Sequence, residues 1–198
     1  DLSAGMLFQV GQALAHLHRL DPPPDIPGQF PYNRDSFSQV IDSGMSHPYV
    51  DWLKHKAAFL EKAIDPAMPK SFIHGDIFWD NLVFSNDTLV AVLDFEEACL
   101  YYKLFDIGMC VTGCCVQNQQ ISPEQVMHLL SGYQQNSPLT AGEKTQLPVF
   151  MEYAAVAASF WRFRQYNIRR PSREKKDSHL ELARLATVAA LLTLAVRP

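Results

Sequence analysis

A short apolar hairpin bracketed by polar side chains is the feature that most restricts the fold of this chain. Two apolar runs, 82–84 and 89–93, are separated by a Ser-Asn-Asp segment at 85–87 that is typical of a tight turn between antiparallel strands. Asn81 directly precedes the first run and Asp94 directly follows the second. Because the two ends of a hairpin lie side by side, the pattern predicts that these two oxygen-bearing side chains meet at one end of the strands.

Outside the hairpin, apolar residues recur at the three- and four-residue intervals of amphipathic helices. Only one further extended run, 71–73, is expected, and it leads into the polar segment before the hairpin. The predicted fold class is therefore mainly α with a small β-hairpin, in one domain covering 1–198. Helices are expected to begin after Ser3 and after Ser122, and to cover 35–42, 49–64 and 104–116. A further helix is expected to begin after Thr140 and to reach about Tyr166, with a potential break at Pro148. The last expected helix runs from Asp177 to about Leu194.

The charge and hydropathy patterns exclude two classes of partner. The chain has 198 residues, 47% of them hydrophobic, which suffices for one domain with its own core. Its net charge is −4, and no long basic face is present, so nucleic acid is not an expected partner. The one dense basic segment, 169–176, is interpreted as a solvated loop. No apolar run reaches the roughly 18 residues of a membrane span, so no membrane association is expected.

The four cysteines, at positions 99, 110, 114 and 115, all lie in apolar surroundings. Cys110 and Cys114 are one helical turn apart, a spacing that suits a metal or a disulfide, but no second Cys/His pair with zinc-finger spacing accompanies them. We therefore expect buried reduced thiols and a cytoplasmic protein. The sequence does not indicate an oligomeric state.

The polar segments around the hairpin carry the chemistry. Segment 74–81 reads His-Gly-Asp-Ile-Phe-Trp-Asp-Asn, and segment 94–96 reads Asp-Phe-Glu. Phosphoryl transfer from ATP needs a carboxylate that orients the attacking hydroxyl and oxygen ligands for Mg²⁺, and protein kinases place such groups at this spacing. Asp76, Asn81 and Asp94 would be costly as unpaired buried groups, whereas a metal and phosphates would satisfy them.

These motifs resemble the aminoglycoside phosphotransferase and choline kinase superfamily, the small-molecule branch of the protein-kinase-like fold. Segment 74–81 is most similar to the homoserine kinase group, where an H-x-D-x-F-x-D-N form occurs, and segments 94–99 and 105–108 fit the same group. Segment 94–96, together with Tyr101 and Tyr102, is also similar to choline and ethanolamine kinases. The resemblance implies the C-terminal lobe of an α+β kinase-like fold, with the catalytic loop at 74–81, the metal-binding Asp-Phe-Glu at 94–96 and a helical substrate side at about 104–196.

The resemblance also implies residue roles. Asp76 is the implied catalytic base, and Asn81 and Asp94 are the implied Mg²⁺ ligands, with ATP as phosphoryl donor. His74 and Asp106 are expected to brace the loop, although Asp106, at the start of a helix, also suits a capping role. The residues expected to line the substrate pocket are Glu97, Trp161, Arg162 and Arg164; for these, a core tryptophan and helix-surface arginines are the plain alternative.

The chain departs from the family pattern in one respect. It has no Gly-rich loop followed by a lysine, and no segment with the pattern of a five-stranded N-terminal lobe. We expect the missing N-lobe to belong to the parent chain, and these 198 residues alone to show little or no kinase activity. Two function classes follow. One is a kinase acting on a hydroxyl of a small amino alcohol such as homoserine, with choline, ethanolamine or an aminoglycoside as other acceptors. The other is a non-catalytic, pseudokinase-like binding module.

Overall fold

The structure, a computed structural model, describes residues 2–188 of the chain. Within them, helices make up most of the fold, and six short strands form three antiparallel pairs. The helices are α1 (Ala4–Leu17), α2 (Arg34–Ile41), α3 (Pro48–Ala63), α4 (Lys103–Cys114), α5 (Pro123–Asn136), α6 (Ala141–Phe163) and α7 (His179–Val188); a 3-10 turn covers Trp79–Asn81 and a π-helical turn covers Arg164–Arg169. The strands are β1 (Lys70–Ile73), β2 (Leu82–Ser85), β3 (Thr88–Val92), β4 (Cys99–Tyr102), β5 (Val116–Gln117) and β6 (Gln120–Ile121).

The predicted helix starts at Ser3, Ser122 and Thr140 are confirmed, since each of these side chains accepts a backbone N–H in the first turn of its helix. The expected break at Pro148 is wrong. Proline removes one backbone hydrogen bond, but Pro148 is buried in α6, and the packing around it keeps the helix continuous from 141 to 163. The last helix begins at His179, and its expected end at Leu194 lies outside the described residues.

Helices α1 and α5 approach each other closely because glycine lies on both contact faces. A Cβ atom on Gly11 would stand 2.1 Å from the backbone oxygen of Leu129, and one on Gly132 would stand 1.9 Å from that of Phe8. No other residue type fits at either position without separating the helices. Helix α6 packs against α4 and α7 and, buried along most of its length, forms the centre of the core.

The predicted hairpin is confirmed as β2–β3, with Asn86 and Asp87 at φ of 46° and 60° in its turn. Strand β4 was not predicted. It pairs antiparallel with β1, placing Ile73 opposite Cys99. Its apolar run continues directly into α4 without an intervening turn residue, so sequence periodicity did not separate the two elements.

All four cysteines are buried and free, as predicted. None of the described helices is both long enough and apolar enough to cross a lipid bilayer.

Candidate active site

The segment 74–81 leaves β1 and passes under the end of the hairpin. Its backbone turns sharply at Gly75, which has a φ of +85°. A Cβ atom there would lie 2.8 Å from the backbone oxygen of Glu97. Position 75 therefore requires glycine for two reasons, the left-handed backbone and the nearby carbonyl. This turn directs the Asp76 side chain into a cavity between the loop and the C-terminal helices.

Asp106, a fully buried residue in the first turn of α4, bonds to the backbone of the loop at His74 and Gly75. Its Oδ1 accepts the Gly75 N–H at 2.8 Å, and its Oδ2 accepts the His74 N–H at 2.9 Å. Each carboxylate oxygen thus accepts one of two successive backbone N–H groups of the loop. Neither is involved in a cap of α4, whose first residues have no side-chain cap.

His74 connects the loop to the hairpin. Its Nε2 donates to the backbone oxygen of Leu93 at 2.9 Å, and its Nδ1 accepts the Asp76 N–H at 3.2 Å. The two contacts require the neutral imidazole with the proton on Nε2. The ring also packs against Phe95, with centroids 4.4 Å apart. His74 therefore ties the backbone of Asp76 to the segment that carries Asp94.

Asp76 has a carboxyl group that resists ionisation. Burial, followed by the negative charges of Asp80 and Asp94, raises its pKa to about 6, while a hydrogen bond from Asn81 works in the opposite direction. A carboxylate with a pKa in this range is ionised at neutral pH and still basic enough to accept a proton.

The hairpin brings Asn81 and Asp94 to the same end, as predicted, because the Leu93 N–H bonds the Asn81 backbone oxygen at 2.8 Å. The Asn81 side-chain nitrogen donates to the backbone oxygen of Asp76 at 2.9 Å, which leaves its side-chain oxygen available as a ligand. Asp94 adopts a φ of +64°, an uncommon conformation for a residue with a side chain. The Asp94 side chain is exposed at the open end of the hairpin.

A cavity of about 370 Å³ collects most of the predicted site residues. Asp76, Asn81, Asp94 and Glu97 line one side, while His74 and Asp106 lie behind the loop. The cavity is also lined by Trp161 and Arg162 of α6, Tyr166 of the π-helical turn, and Phe30 and Tyr32 of the loop between α1 and α2.

Arg164 was predicted to line this cavity, and it does not. Its guanidinium lies 6.0 Å from the ring centroid of Tyr32, so it supports a wall residue instead. Arg162 does reach the cavity, with its Nη1 donating to the backbone oxygen of Ser178 at 3.2 Å and to Glu181 at 3.3 Å. Residues two apart on a helix project in nearly opposite directions, which accounts for the different surroundings of the two arginines.

Phe30 and Tyr32 are cavity residues that the sequence interpretation missed. They come from the proline-rich loop between α1 and α2, which has no periodicity to indicate its course. The available signal was the pair of aromatic residues near the end of this proline-rich loop. Trp161 and Tyr166 also line the cavity, whereas Tyr101 and Tyr102, which contribute to the resemblance to choline kinases, are buried in the core.

The donor set fits Mg²⁺ held together with phosphates. Carboxylate and amide oxygens are hard ligands, and Mg²⁺ is usually bound by one or two protein carboxylates plus substrate oxygens. Asp94 and the free Asn81 oxygen supply such donors. Burial and then the acidic neighbours raise the pKa of Asp76, and a bound cation would offset the repulsion between these negative charges. Among residues 2–188, no three His, Cys, Asp or Glu side chains form a metal cage of their own.

Structural comparison identifies the same fold in small-molecule kinases. A choline/ethanolamine kinase family protein from Mesorhizobium loti superposes with a TM-score of 0.74 at 14% identity, covering 98% of this chain and 67% of that one. Spectinomycin phosphotransferase in complex with ADP and spectinomycin superposes with a TM-score of 0.63 at 16% identity, covering 96% and 67%. These likenesses establish the expected fold, a kinase-like lobe of helices and small sheets.

Sequence comparison gives the family. A homoserine kinase of Sinorhizobium medicae (strain WSM419) is 32% identical in an alignment of 159 residues that covers 75% of this chain and 48% of that enzyme. The chain thus spans about half the length of this relative. The model of the phosphotransferase enzyme family (APH) matches residues 1–142, which include segment 74–81 and the whole hairpin. The chain belongs to the phosphotransferase enzyme family.

Proposed function

We propose that this chain is the C-terminal lobe of an ATP- and Mg²⁺-dependent kinase that phosphorylates a hydroxyl of a small amino alcohol, with homoserine as the leading acceptor. The observation that carries the proposal is the position of Asp76. Its carboxyl, with a pKa of about 6, shares one cavity with the oxygen donors Asn81 and Asp94. A base and a pair of metal ligands on one wall are what phosphoryl transfer to an alcohol requires.

In this proposal Asp76 orients the acceptor hydroxyl and takes its proton as the phosphoryl group is transferred. Asn81 and Asp94 hold Mg²⁺, which neutralises charge on the donor phosphates when it is bound. His74 and Asp106 fix the loop backbone so that the carboxylate stays aimed at the cavity. Most of the rate enhancement comes from this positioning, because phosphoryl transfer needs little covalent help from the protein.

The acceptor lies between the loop and the C-terminal helices. Only Nη1 of Arg162 takes part in the hydrogen bonds found in the described part of the chain, so its other N–H groups remain for a substrate carboxylate. Glu97 lies on the loop side of the same cavity and can pair with a substrate ammonium. A zwitterionic amino acid with a side-chain hydroxyl matches both groups, and a relative named homoserine kinase supports this choice.

A second candidate acceptor is choline or ethanolamine. Phe30, Tyr32, Trp161 and Tyr166 give the cavity several aromatic faces, which bind ammonium groups well. Aminoglycosides remain a third class. The four free, buried thiols suit the reducing cytoplasm, and we place the enzyme there.

An acceptor screen tests the proposal. The full-length protein is assayed by coupled ATP consumption with homoserine, choline, ethanolamine, threonine analogues and aminoglycosides. We expect the highest kcat/KM with homoserine. A preference for choline would overturn the assignment of homoserine, and the absence of turnover with every acceptor would favour the non-catalytic binding module.

A further inference from the structure

His18 is a buried histidine in an otherwise exposed turn. It follows the last residue of α1, and its chain neighbours His16 and Arg19 are exposed. Its side chain is 1% accessible to solvent. Such burial at the end of a surface helix requires partners for both ring nitrogens.

Both nitrogens have a partner of their own. The Nε2 lies 3.1 Å from the Oδ2 of Asp106, and the Nδ1 lies 2.9 Å from the hydroxyl of Tyr133. The same Asp106 oxygen accepts the backbone N–H of His74 at 2.9 Å. A continuous chain of hydrogen bonds therefore runs from α5, through the end of α1 and the first turn of α4, to the loop that carries Asp76.

The charge of Asp106 explains why this third contact matters. Burial alone would raise the pKa of its carboxyl, but the hydrogen bond and charge of His18, together with the two loop amides, lower it overall. A fully buried carboxylate that lost its imidazole partner would become protonated or would turn toward other donors. Either change weakens its hold on the His74 and Gly75 amides.

The close packing of α1 on α5 brings the first two members of this series of hydrogen bonds, Tyr133 and His18, together. Gly11 and Gly132 allow the two helices to approach until a Cβ atom would clash with the opposite backbone. That approach places the end of α1 within hydrogen-bonding distance of the Tyr133 ring, which is fully buried on α5. The ring of His18 also packs edge-on against Tyr133, with centroids 5.6 Å apart.

We infer that His18 is a positioning residue for Asp76: its imidazole, oriented by Tyr133, holds the Asp106 carboxylate that fixes the His74–Gly75 backbone. His18 does not line the cavity and does not touch substrate. The kinetic part of this inference rests on the proposed kinase function, whereas the structural part does not.

Kinetics of the full-length protein test the inference with three variants. His18→Leu removes the donor at similar volume, and we expect kcat to fall about 10- to 100-fold with KM for ATP and acceptor changed less than about threefold. His18→Gln restores an N–H donor and should recover most of kcat. The matched control is His16→Leu on the same helix, which should leave kcat unchanged because His16 is exposed. A folded His18→Leu variant with the kcat of the unsubstituted protein would overturn the inference.

Amide hydrogen exchange separates this inference from the proposed function. The exchange rates of the His74 and Gly75 amides should rise at least about tenfold in His18→Leu and stay unchanged in His16→Leu, whether or not any acceptor is phosphorylated. Tyr133→Phe keeps the ring and removes only the hydroxyl, so it should raise the same two rates by a smaller factor, and it serves if His18→Leu does not fold. Unchanged rates in a folded variant at His18 or Tyr133 would contradict the chain of contacts.

Discussion

The side-chain nitrogen of Asn81 donates a hydrogen bond to the backbone oxygen of Asp76 at 2.9 Å and lies 3.5 Å from its carboxylate. The two ends of segment 76–81 are therefore joined directly. Because the amide nitrogen is occupied, the amide oxygen is left for a metal, and the amide dipole favours the ionised form of Asp76.

Asp76 lowers the stability of the folded chain at neutral pH. Its pKa is about 6 in the folded state against 3.8 for a solvated carboxyl, so the native state holds an extra proton between these values and loses stability as the pH rises through them. Asp76→Asn should raise the free energy of unfolding at pH 7 by about 1 to 2 kcal/mol and change it little at pH 4. Urea denaturation at the two pH values measures this.

The control for that measurement is Asp25→Asn, in the exposed loop before α2, which should shift the free energy of unfolding by less than about 0.5 kcal/mol. Equal or lower stability of Asp76→Asn at pH 7 would contradict the raised pKa.

The pH dependence of activity reports the same group. Because the base must be ionised, kcat/KM should rise through an apparent pKa of about 6 and level off above it. After burial, the charge of Asp80 is the next cause that raises the pKa of Asp76. Asp80→Asn should therefore move the rise to lower pH, and a midpoint that moves upward would refute the electrostatic explanation.

Gly75 tests the geometry of the loop. Gly75→Ala introduces a Cβ 2.8 Å from a backbone oxygen at a φ of +85°, so we expect a loss of about 1 to 3 kcal/mol of stability together with lower kcat. Gly142→Ala is the matched control, since a Cβ there meets nothing within 4 Å in the first turn of α6. It should leave stability unchanged or raise it by up to about 1 kcal/mol. Thermal unfolding measures the stability of both variants. A Gly75→Ala variant as stable as Gly142→Ala would contradict the predicted clash.

Arg162 tests the assignment of the acceptor carboxylate. Arg162→Met should raise KM for homoserine at least about tenfold and leave KM for ATP unchanged, because it removes a charged partner of one substrate only. Arg173→Met, in the exposed segment after the π-helical turn, is the control. If KM for choline, which has no carboxylate, rises equally, the arginine acts on the shape of the cavity instead.

The sequence predicted those parts of the site that lie close together along the chain. Asn81 and Asp94 could be paired because a predicted β-hairpin separates them, and the two ends of a hairpin lie side by side. The positions of Asp106, Trp161 and Arg162 were predicted only through the family resemblance, because spacing alone indicates no contact between residues far apart along the chain. His18 was indistinguishable from a solvated helix end, since its partner Asp106 lies 88 residues away. Phe30 and Tyr32 line the cavity through the course of an irregular loop, which no periodic pattern encodes.

The central claim is that Asp76 is the base of a phosphoryl transfer to a small hydroxyl acceptor. Mass spectrometry of the phosphorylated acceptor, formed by the full-length protein from ATP, Mg²⁺ and homoserine, tests it most directly when Asp76→Asn is compared with the unsubstituted protein. We expect product from the unsubstituted protein and a kcat at least about 100-fold lower for the folded variant, with KM values changed only a few-fold. Phosphorylated homoserine formed at the same rate by both proteins would contradict the claim.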